Sequence, residues 1–410
     1  MRIFFIVPYV PSLIRTRPYN IIRSLTAKGH EVTVATPWFI ESEREEAEVL
    51  RSECHRVIAV ELRRMRRVWN RFRALAALRP MQATLCWNPE FARRLRNELL
   101  TDSGQVAFDV AHVEHLRAAC YGTYLRSLSS RLPSHLPVVW DAVDCLHLLL
   151  EQTLDNNKSV SVRFGNRYDA WRMRSEEARL LGHFRRILVT SRVDRDALAT
   201  LRGAATSPGL EVVSNGVDLD YFKPARNARR EPATIVVTGK MSYHANADMV
   251  SHLVKDILPL IRARRPDVKV SIAGKSPPRR IVEFGGLPGV SVTGSVPDLR
   301  PCIERATVAV APLRYGVGVQ NKVLEAMACG APVVGSPQAV SALAAEPGKE
   351  VLVGATAEEF ARHVLELIES PQRRRRLAEA GRAYVERLHS WPRLASRLER
   401  IYEEARASGK

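Results

Sequence analysis

Residues 311–335 read APLRYGVGVQNKVLEAMACGAPVVG, and the order of elements that they predict indicates the fold class. The β-branched run that ends at Ala311 predicts a buried strand, which Pro312 terminates. Two glycines open a loop, a helix-forming run follows over residues 322–329, and Gly330 stands where helices end in a left-handed residue. Residues 331–335 form the next strand. This order of strand, glycine loop, helix and strand predicts a parallel α/β sheet.

The glycine loop and the helix start lie at the carboxyl edge of that sheet, where open α/β folds bind ligands. Backbone N–H groups and a helix N-terminus favour phosphate there. Lys322 and Glu325 are three residues apart, so they share a helix face. A cation for phosphate and a carboxylate for sugar hydroxyls suit a nucleotide-sugar; an ordinary surface ion pair on a common α/β unit is the alternative. The candidate donor contacts in this stretch are Gly316, Val317, Gly318, Val319, Lys322 and Glu325.

The stretch resembles the nucleotide-sugar motif of the retaining glycosyltransferases of family 4, which have the GT-B fold. That motif has two glutamates separated by seven residues. Glu325 matches the second glutamate, and the resemblance implies that it holds the donor ribose hydroxyls. The first glutamate, which contacts the transferred sugar in the family, falls at Val317, so the chain departs from the pattern there. The chain is more similar to a branch with a glycine loop followed by QNKVLEA, found in sugar transferases of exopolysaccharide assembly.

The resemblance covers residues 2–402 and implies an α/β, GT-B architecture. Two Rossmann-like domains are expected to face a central cleft, with a C-terminal helix crossing back to the first domain. The expected acceptor-side domain is residues 1–224, with 389–410 returning to it. The expected nucleotide-sugar-binding domain is residues 225–388.

Further donor contacts are implied in the second domain. Lys240 follows Gly239 directly after a predicted strand, where the family has a basic residue that holds the donor diphosphate. A second family lysine lies six residues on, where this chain has Asn246, and Lys322 is a candidate to supply the missing charge. Ser295 and Val296 stand in the turn that lies beside the nucleobase in the family.

The first domain carries the candidate catalytic residues. DVAHVEH, residues 109–115, is similar to the family's DVVHAH: His112 matches its first histidine, while Glu114 replaces the second and His115 follows. A carboxylate or imidazole there is suited to orient or deprotonate an acceptor hydroxyl. Asp141 follows the apolar strand 137–140 and is a candidate for acceptor binding, acid–base chemistry or capping the next helix. The resemblance thus gives Glu114, His115 and Asp141 as catalytic candidates.

Arg15 and Arg17 follow the first strand, where the family often carries paired glycines. Two interpretations stay open. The arginines contact a phosphate of donor or acceptor, or they are solvated loop residues.

The composition is basic and globular. The 410 residues carry a net charge of +18, which indicates an anionic partner: nucleic acid, an anionic membrane or phosphorylated small molecules. No RNA-binding motif, zinc finger or helix-turn-helix pattern accompanies the charge, so no nucleic-acid partner is predicted. The six scattered cysteines form no CxxC pair, which predicts no metal site and a cytoplasmic location.

Residues 61–79 read ELRRMRRVWNRFRALAALR and contain seven arginines. Leu62, Met65, Trp69, Phe72 and Ala76 recur every three to four residues and predict one apolar stripe. A basic amphipathic helix of this kind is a candidate for lying on an anionic membrane surface. A helix packed on its own domain with a solvated arginine face is the alternative.

Together with the resemblance, these patterns predict a metal-independent glycosyltransferase without a cofactor, and the resemblance alone implies that it retains the anomeric configuration. It is expected to move a sugar from a UDP- or GDP-sugar to a hydroxyl of a lipid-linked or polysaccharide glycan, in the cytoplasm or at the inner face of the membrane. Two alternatives stay open: a nucleotide-sugar epimerase of the same fold, and a catalytically weak nucleotide-sugar-binding partner protein. The departure at Val317 keeps the second alternative open.

Overall fold

The computed structural model describes residues 1–101, 103–129, 135–155, 160–201, 209–225, 230–316 and 318–407, without the side chains of 153–155 and 160–166. The chain divides into two compact units, Met1–Ser214 with Trp391–Lys410, and Asn215–Ser390. The first boundary therefore lies at Ser214, earlier than the predicted 224. The segment between these two boundaries forms hydrogen bonds within the second unit. For example, the N–H of Val217 donates to the carbonyl of His389 at 2.8 Å.

The first unit is built on a parallel sheet. Its interior strand Arg2–Ile6, RIFFI, buries four successive apolar side chains, as expected for a strand covered on both faces. The strands are β1 (Arg2–Ile6), β2 (Glu31–Trp38), β3 (Arg56–Glu61), β4 (Val110–Glu114), β5 (Val138–Val143), β6 (Arg186–Val189) and β7 (Leu210–Val212). They lie in the order β3-β2-β1-β4-β5-β6-β7, and every pair is parallel.

Helices connect these strands and cover the sheet. Several begin at a side-chain cap, such as Asn88 and Ser191, whose oxygens accept backbone N–H groups of the first turn. The helices are α1 (Thr16–Ala27), α2 (Glu41–Leu50), α3 (Arg64–Ala76), α4 (Met81–Thr84), α5 (Pro89–Glu98), α6 (His115–Ser129), α7 (Leu146–Asp155), α8 (Val160–His183) and α9 (Arg192–Thr200).

The second unit repeats this plan. Its strands are β8 (Thr234–Thr238), β9 (Lys269–Ala273), β10 (Val290–Gly294), β11 (Val308–Ala311), β12 (Val333–Gly335) and β13 (Leu352–Val353), in the parallel order β10-β9-β8-β11-β12-β13. Its helices are α10 (His244–His252), α11 (Leu258–Arg262), α12 (Arg279–Val282), α13 (Arg300–Arg305), α14 (Asn321–Ala328), α15 (Pro337–Val340), α16 (Ala357–Glu369) and α17 (Pro371–Leu388). A π-helical turn, Leu253–Ile257, joins α10 to α11, and a 3-10 turn, Glu283–Gly286, follows α12.

The last helix, α18 (Trp391–Ala407), belongs to the first unit. Its apolar face enters the core beside β1 and β4, where Leu398 and Tyr402 are fully buried. The Tyr402 hydroxyl pairs with Nδ1 of His112 at 2.8 Å, and Glu399 pairs with Lys28 at 2.8 Å. The predicted return of the C-terminal helix to the first domain is confirmed.

The helix predicted within residues 61–79 is α3, and its large apolar side chains lie on the exposed side of the helix. Leu62 precedes α3 and is buried, whereas Met65, Trp69 and Phe72 are exposed. Asn70 and Ala74 are buried against the first unit, while Arg71 and Arg73 are exposed. The helix therefore packs on its own domain with a solvated arginine face, as the alternative expects, but not through its apolar stripe. None of the helices in the described part of the chain combines the length and apolar character that crossing a bilayer requires.

Candidate active site

The carboxyl edge of the second sheet is formed by glycine-containing loops. Because the strands are parallel, the loops after β8, β9 and β11 lie at this one edge. Gly239 and Gly274 end β8 and β9, and a Cβ atom on Gly274 would lie only 1.8 Å from the carbonyl oxygen of Gly239. The two loops therefore pack backbone against backbone, an approach that only glycine allows.

Lys322 lies at the start of α14 on this edge. Its ammonium group donates to Oδ1 of Asn246 at 2.8 Å and to Oε1 of Gln320 at 3.1 Å. Asn246 in turn donates to the carbonyl of Lys240 at 3.0 Å. Asn246, which stands where the family has its second lysine, is therefore in direct contact with Lys322. This contact is required if Lys322 is to supply the positive charge that Asn246 lacks.

The pKa values of Lys322 and Glu325 are shifted towards each other. Burial lowers the pKa of Lys322 to about 8, with Glu325 opposing the shift. Burial raises the pKa of Glu325 to about 7, with Lys322 opposing the shift. Both side chains are half-buried, and the two acceptors of Lys322 are amide oxygens rather than the Glu325 carboxylate. Lys322 and Glu325 therefore do not form the ordinary surface ion pair that the alternative interpretation expects.

The remaining donor candidates surround this pair. Lys240 is exposed, and its ammonium group meets no acceptor among the described residues. The backbone N–H groups of Gly318 and Val319 likewise have no described acceptor, so they are available to an anion. Gly316 lies in the same loop, and Val317 lies outside the described residues.

The predicted nucleobase contacts lie farther along the edge. Ser295 is exposed and Val296 half-buried, in the loop that follows β10. Because β10 is the edge strand and β9 separates it from β8, these residues are not neighbours of Lys322 in the sheet. Their assignment stays a prediction.

Sequence reasoning missed an aromatic pair at this edge. The rings of His244 and Tyr315 stack with centroids 5.5 Å apart, and Nδ1 of His244 pairs with the tyrosine hydroxyl at 2.8 Å. Tyr315 directly precedes Gly316, and His244 begins α10. The sequence does show a tyrosine beside the glycine loop, but no local pattern predicts its pairing with His244, which is 71 residues away.

The carboxyl edge of the first sheet is occupied by the protein's own side chains. Glu114 and Asp141 lie in register at the ends of β4 and β5, and both are fully buried. Asp141 accepts from Nε and Nη2 of Arg17 at 3.1 and 2.6 Å and from the N–H of Val143 at 3.1 Å. Asp141 therefore does not cap the next helix, which begins at Leu146. It holds a buried ion pair.

Glu114 is a carboxyl group with few partners. Tyr9 donates to its Oε1 at 3.1 Å, while Oε2 has no hydrogen-bond partner among the described residues. Burial, and then the neighbouring Asp141, raise the pKa of Glu114 to about 8. At neutral pH the group is therefore mainly protonated, which suits it to donate a proton or hydrogen bond and not to act as a base.

His115 stands at the junction of β4 and α6 in a left-handed conformation, with φ of 68°. Such a conformation is costly for a residue other than glycine. Its Nδ1 accepts the N–H of Arg117 at 3.2 Å, and burial lowers its pKa to about 3. The ring is therefore neutral, with its proton on Nε2, and it offers a hydrogen-bond donor to a ligand.

Both N-terminal arginines have protein partners, so the interpretation of solvated loop residues is wrong. Arg17 lies within α1, is 5 % exposed and pairs with Asp141. Arg15 pairs with Glu43 at 2.6 Å and lies over the ring of Tyr9. A phosphate at either arginine would have to displace or share these contacts.

The first unit also groups three potential metal ligands that sequence analysis did not predict. Sγ of Cys145, Nδ1 of His147 and the carboxylate of Glu177 lie close together and are buried. Nδ1 of His147 pairs with Glu177 at 2.7 Å, and Glu177 accepts the N–H groups of Leu146 and His147 at 2.8 and 3.2 Å. These hydrogen bonds cap the start of α7.

Two family models match the chain. "Glycosyltransferase Family 4" matches residues 15–221, half of the chain, and "Glycosyl transferases group 1" matches residues 232–370. The first match lies almost wholly in the first unit, and the second lies in the second unit.

Two characterised relatives are similar over part of their length. The MMP alpha-(1->4)-mannosyltransferase of Mycolicibacterium hassiacum is 29% identical over 212 residues, which are 49% of this chain and 50% of that protein. A GDP-mannose-dependent monoacylated alpha-(1-6)-phosphatidylinositol monomannoside mannosyltransferase of Corynebacterium glutamicum is 28% identical over 224 residues, 48% of this chain and 56% of that protein. The chain thus spans about half the length of these relatives.

Solved structures resemble the whole chain. Sucrose-phosphate synthase from Thermosynechococcus elongatus has a TM-score of 0.68 at 18% identity, with both chains fully covered. Anabaena Alr3699/HepE, solved with UDP and glucose, has a TM-score of 0.66 at 12% identity, covering 98% of this chain and 99% of that one. These likenesses confirm the predicted GT-B fold. The family model that matches half of the chain shows that the chain belongs to glycosyltransferase family 4.

Proposed function

We propose that this protein transfers a sugar from a nucleotide diphosphate sugar to an acceptor hydroxyl, with retention at the anomeric carbon. The observation that carries the proposal is the open polar edge of the second sheet. There Lys240, Lys322 and Glu325 share a sheet edge with Gly318 and Val319, whose N–H groups have no acceptor among the described residues. Two cations, a carboxylate and backbone donors at one edge match the phosphates and hydroxyls of such a donor.

In this proposal Lys322 and Lys240 bind the diphosphate, and Glu325 accepts hydrogen bonds from the ribose. The half-buried Lys322 is suited to the first role because its ammonium group already has reduced contact with water. An arriving anion would stabilise the charged form and raise its pKa. Ser295 and Val296 are the proposed nucleobase contacts. The donor is proposed to be a UDP- or GDP-sugar, which agrees with the UDP in the HepE structure and the GDP-mannose in the relative's name.

The chemical role of these cations is electrostatic. As the bond between sugar and diphosphate breaks, negative charge grows on the leaving phosphate, and fixed positive groups stabilise that charge. We assign this role to Lys322, Lys240 and the loop N–H groups, so the reaction is proposed to need neither metal nor cofactor. At Val317, where the family has a glutamate, the sequence has only an apolar side chain.

The first unit is proposed to bind the acceptor. His115 offers an N–H donor from Nε2, and the protonated Glu114 lies directly before it in the chain. Asp141 is proposed to position α1 and the end of β5 through Arg17. The acceptor is proposed to be a lipid-linked glycan of exopolysaccharide assembly, and the protein is proposed to act in the cytoplasm with residues 61–79 on an anionic membrane surface.

The test combines ligand binding and product formation. Thermal unfolding is measured with a panel of UDP-, GDP- and ADP-sugars for the wild type, Lys322→Met and Glu325→Gln. A ligand at a hundred times its Kd adds about 2.7 kcal/mol of stability. One nucleotide class should stabilise the wild type, and both variants should lose most of that gain. Lys349→Met, an exposed lysine paired with Glu346, is the matched control.

Products separate the candidate functions. Release of nucleoside diphosphate with sugar appearing on an added lipid extract supports transfer. A changed sugar that stays on its nucleotide, without any acceptor, would show an epimerase instead. Binding without either product would leave a nucleotide-sugar-binding protein, and absence of stabilisation by every nucleotide would refute the donor site.

A further inference from the structure

Helix α3 exposes a row of large apolar side chains, which we name the apolar ridge. The members are 44 to 83 % exposed. They are Met65, Val68, Trp69, Phe72 and Leu75. A run of this kind on a soluble face is unusual, because exposed apolar residues are normally scattered singly.

The ridge points away from the protein because the opposite side of α3 is fixed. At 3.6 residues per turn the ridge residues fall on one side of the helix, with Asn70 and Ala74 on the other. Asn70 is 2 % exposed and donates to the carbonyls of Leu85 and Trp87 at 3.0 and 2.8 Å. The buried Arg172 of α8 donates to the carbonyl of Ala74 at 3.1 Å. Rotation of the helix to bury the ridge would break these bonds.

Positive charge flanks the ridge on both sides. Helical spacing places Arg64 and Arg71 along one border and Arg73 along the other. No carboxylate lies within 4.0 Å of these three guanidinium groups among the described residues. Helix α3 itself, RMRRVWNRFRALA, contains no acidic residue. The face is therefore complementary to an apolar layer bordered by anions.

A cavity of about 390 Å³ opens beside the Arg73 border. Its walls include Arg73 and Arg79 together with the aromatic rings of Trp87 and Tyr124, and no described carboxylate lines it. Arg79 is held by Glu176 at 2.6 Å, while Arg73 is exposed. The cavity gives an anionic head group room between the helix and the body of the first unit.

We infer that α3 lies in the interface of an anionic lipid bilayer, with the apolar ridge inserted and Arg64, Arg71 and Arg73 on lipid phosphates. The inference specifies the membrane contact of the proposed function, but lipid binding itself needs neither donor nor acceptor. A second copy of the chain is a poor occupant, because it would bring two arginine-flanked ridges together. A bilayer supplies both the apolar layer and the anionic border.

The test is flotation of the full-length protein with phosphatidylcholine vesicles that contain either no anionic lipid or about one-third phosphatidylglycerol. The wild type should float with the anionic vesicles at least about tenfold more than with the neutral ones, and less as salt rises. Trp69→Ser/Phe72→Ser should lose about tenfold or more of this binding. Arg64→Glu/Arg71→Glu should lose a similar amount and with it the salt dependence.

Matched controls lie on the second unit. Val282→Ser/Leu287→Ser removes two apolar side chains that are 52 and 41 % exposed, and Arg279→Glu/Arg280→Glu reverses two exposed arginines. Both controls should float like the wild type. Insertion is read separately from Trp69 fluorescence, which should shift to the blue on anionic vesicles and be quenched by brominated lipid. Trp69→Phe should bind as before but lose most of that signal.

The inference is overturned if anionic lipid has no effect, or if the α3 variants and the control variants float equally. It is also overturned if the wild type is a dimer in solution and Trp69→Ser/Phe72→Ser is a monomer, because a second copy would then cover the ridge. Nucleotide-sugar stabilisation of the same variants should be unchanged, so failure of lipid binding and failure of the donor site are distinguishable.

Discussion

The carboxyl edges of the two sheets have similar topology and opposite character. In the first unit the edge is filled by the protein's own side chains, with Arg17 on Asp141 and Tyr9 on Glu114. In the second unit glycines form the loops, Lys240 is exposed, and the acceptors of Lys322 among the described residues are amide oxygens. We call the carboxyl edge of the first sheet the locked edge, because its charged side chains pair within the protein. We call the carboxyl edge of the second sheet the open edge, because Lys240 and Lys322 form no such pairs with the described residues.

The locked edge should be the more sensitive of the two to loss of a charge. Arg17→Met leaves Asp141 buried without its counter-ion, which should cost about 3–5 kcal/mol of unfolding free energy. Urea unfolding measures the loss. Arg44→Met, which breaks the exposed Arg44–Glu41 pair, is the control and should cost less than about 1 kcal/mol. Equal losses in the two variants would contradict the distinction between the edges.

The open edge should respond in ligand affinity and not in stability. Lys322→Met removes a charge-assisted contact worth about 1.5–3 kcal/mol, so affinity for the stabilising nucleotide should fall about 10- to 150-fold. Unfolding free energy without ligand should stay within about 1 kcal/mol of the wild type, since the lysine's partners there are amides. Titration calorimetry and urea unfolding give the two values. A variant that loses stability but keeps its affinity would reverse the assignment.

The close backbone packing of the glycine loops at the open edge can be tested by adding one methyl group. Gly274→Ala places a Cβ atom 1.8 Å from the carbonyl oxygen of Gly239, so the loop that carries Lys240 must move. Overpacking of this kind costs about 1–3 kcal/mol, and donor affinity should fall with it. Gly286→Ala, where a Cβ meets nothing within 4 Å, is the control. Unchanged donor affinity in Gly274→Ala would mean that this loop does not hold the donor.

Glu114 gives the locked edge a pH dependence. Its folded pKa is raised to about 8, above the usual glutamate value of about 4.3. The folded state therefore keeps a proton that the unfolded state loses, and stability falls as pH rises from about 4.3 to 8. The glutamine of Glu114→Gln cannot ionise. The unfolding free energy of this variant should therefore rise by at least about 1 kcal/mol relative to that of the wild type between pH 5 and pH 8.5. Parallel urea curves measured across this range check the prediction, and a constant difference would contradict it.

The smallest expected effect is the pH dependence of donor binding. Lys322 has a pKa of about 8 in the free protein, and a bound diphosphate should raise it. Affinity should therefore fall severalfold between pH 8 and 9 as the free ammonium loses its proton. Lys322→Met should lack this fall. Wild type and variant with the same profile above pH 8 would assign the titration to another group.

Sequence patterns predicted the fold and the open edge better than the locked one. The unit of β11, α14 and β12 could be read from residues 307–335, because glycines, prolines and helix formers act locally. The sequence alone predicts Arg17 in a loop, because its partner Asp141 is 124 residues away and no local pattern predicts that pairing. The apolar residues of α3 have the spacing of a buried helix. Only the packing of Asn70 and Ala74 shows that the ridge faces outward.

Hydrogen–deuterium exchange with and without the stabilising nucleotide tests the central claim most directly, because it compares both edges in one sample. The account predicts slower exchange in residues 238–246 and 318–325, with residues 112–117 and 141–145 unchanged by the nucleotide alone. Lys322→Met should weaken this protection at equal nucleotide concentration. Protection confined to the loops of the first sheet would contradict the assignment of the donor to the open edge.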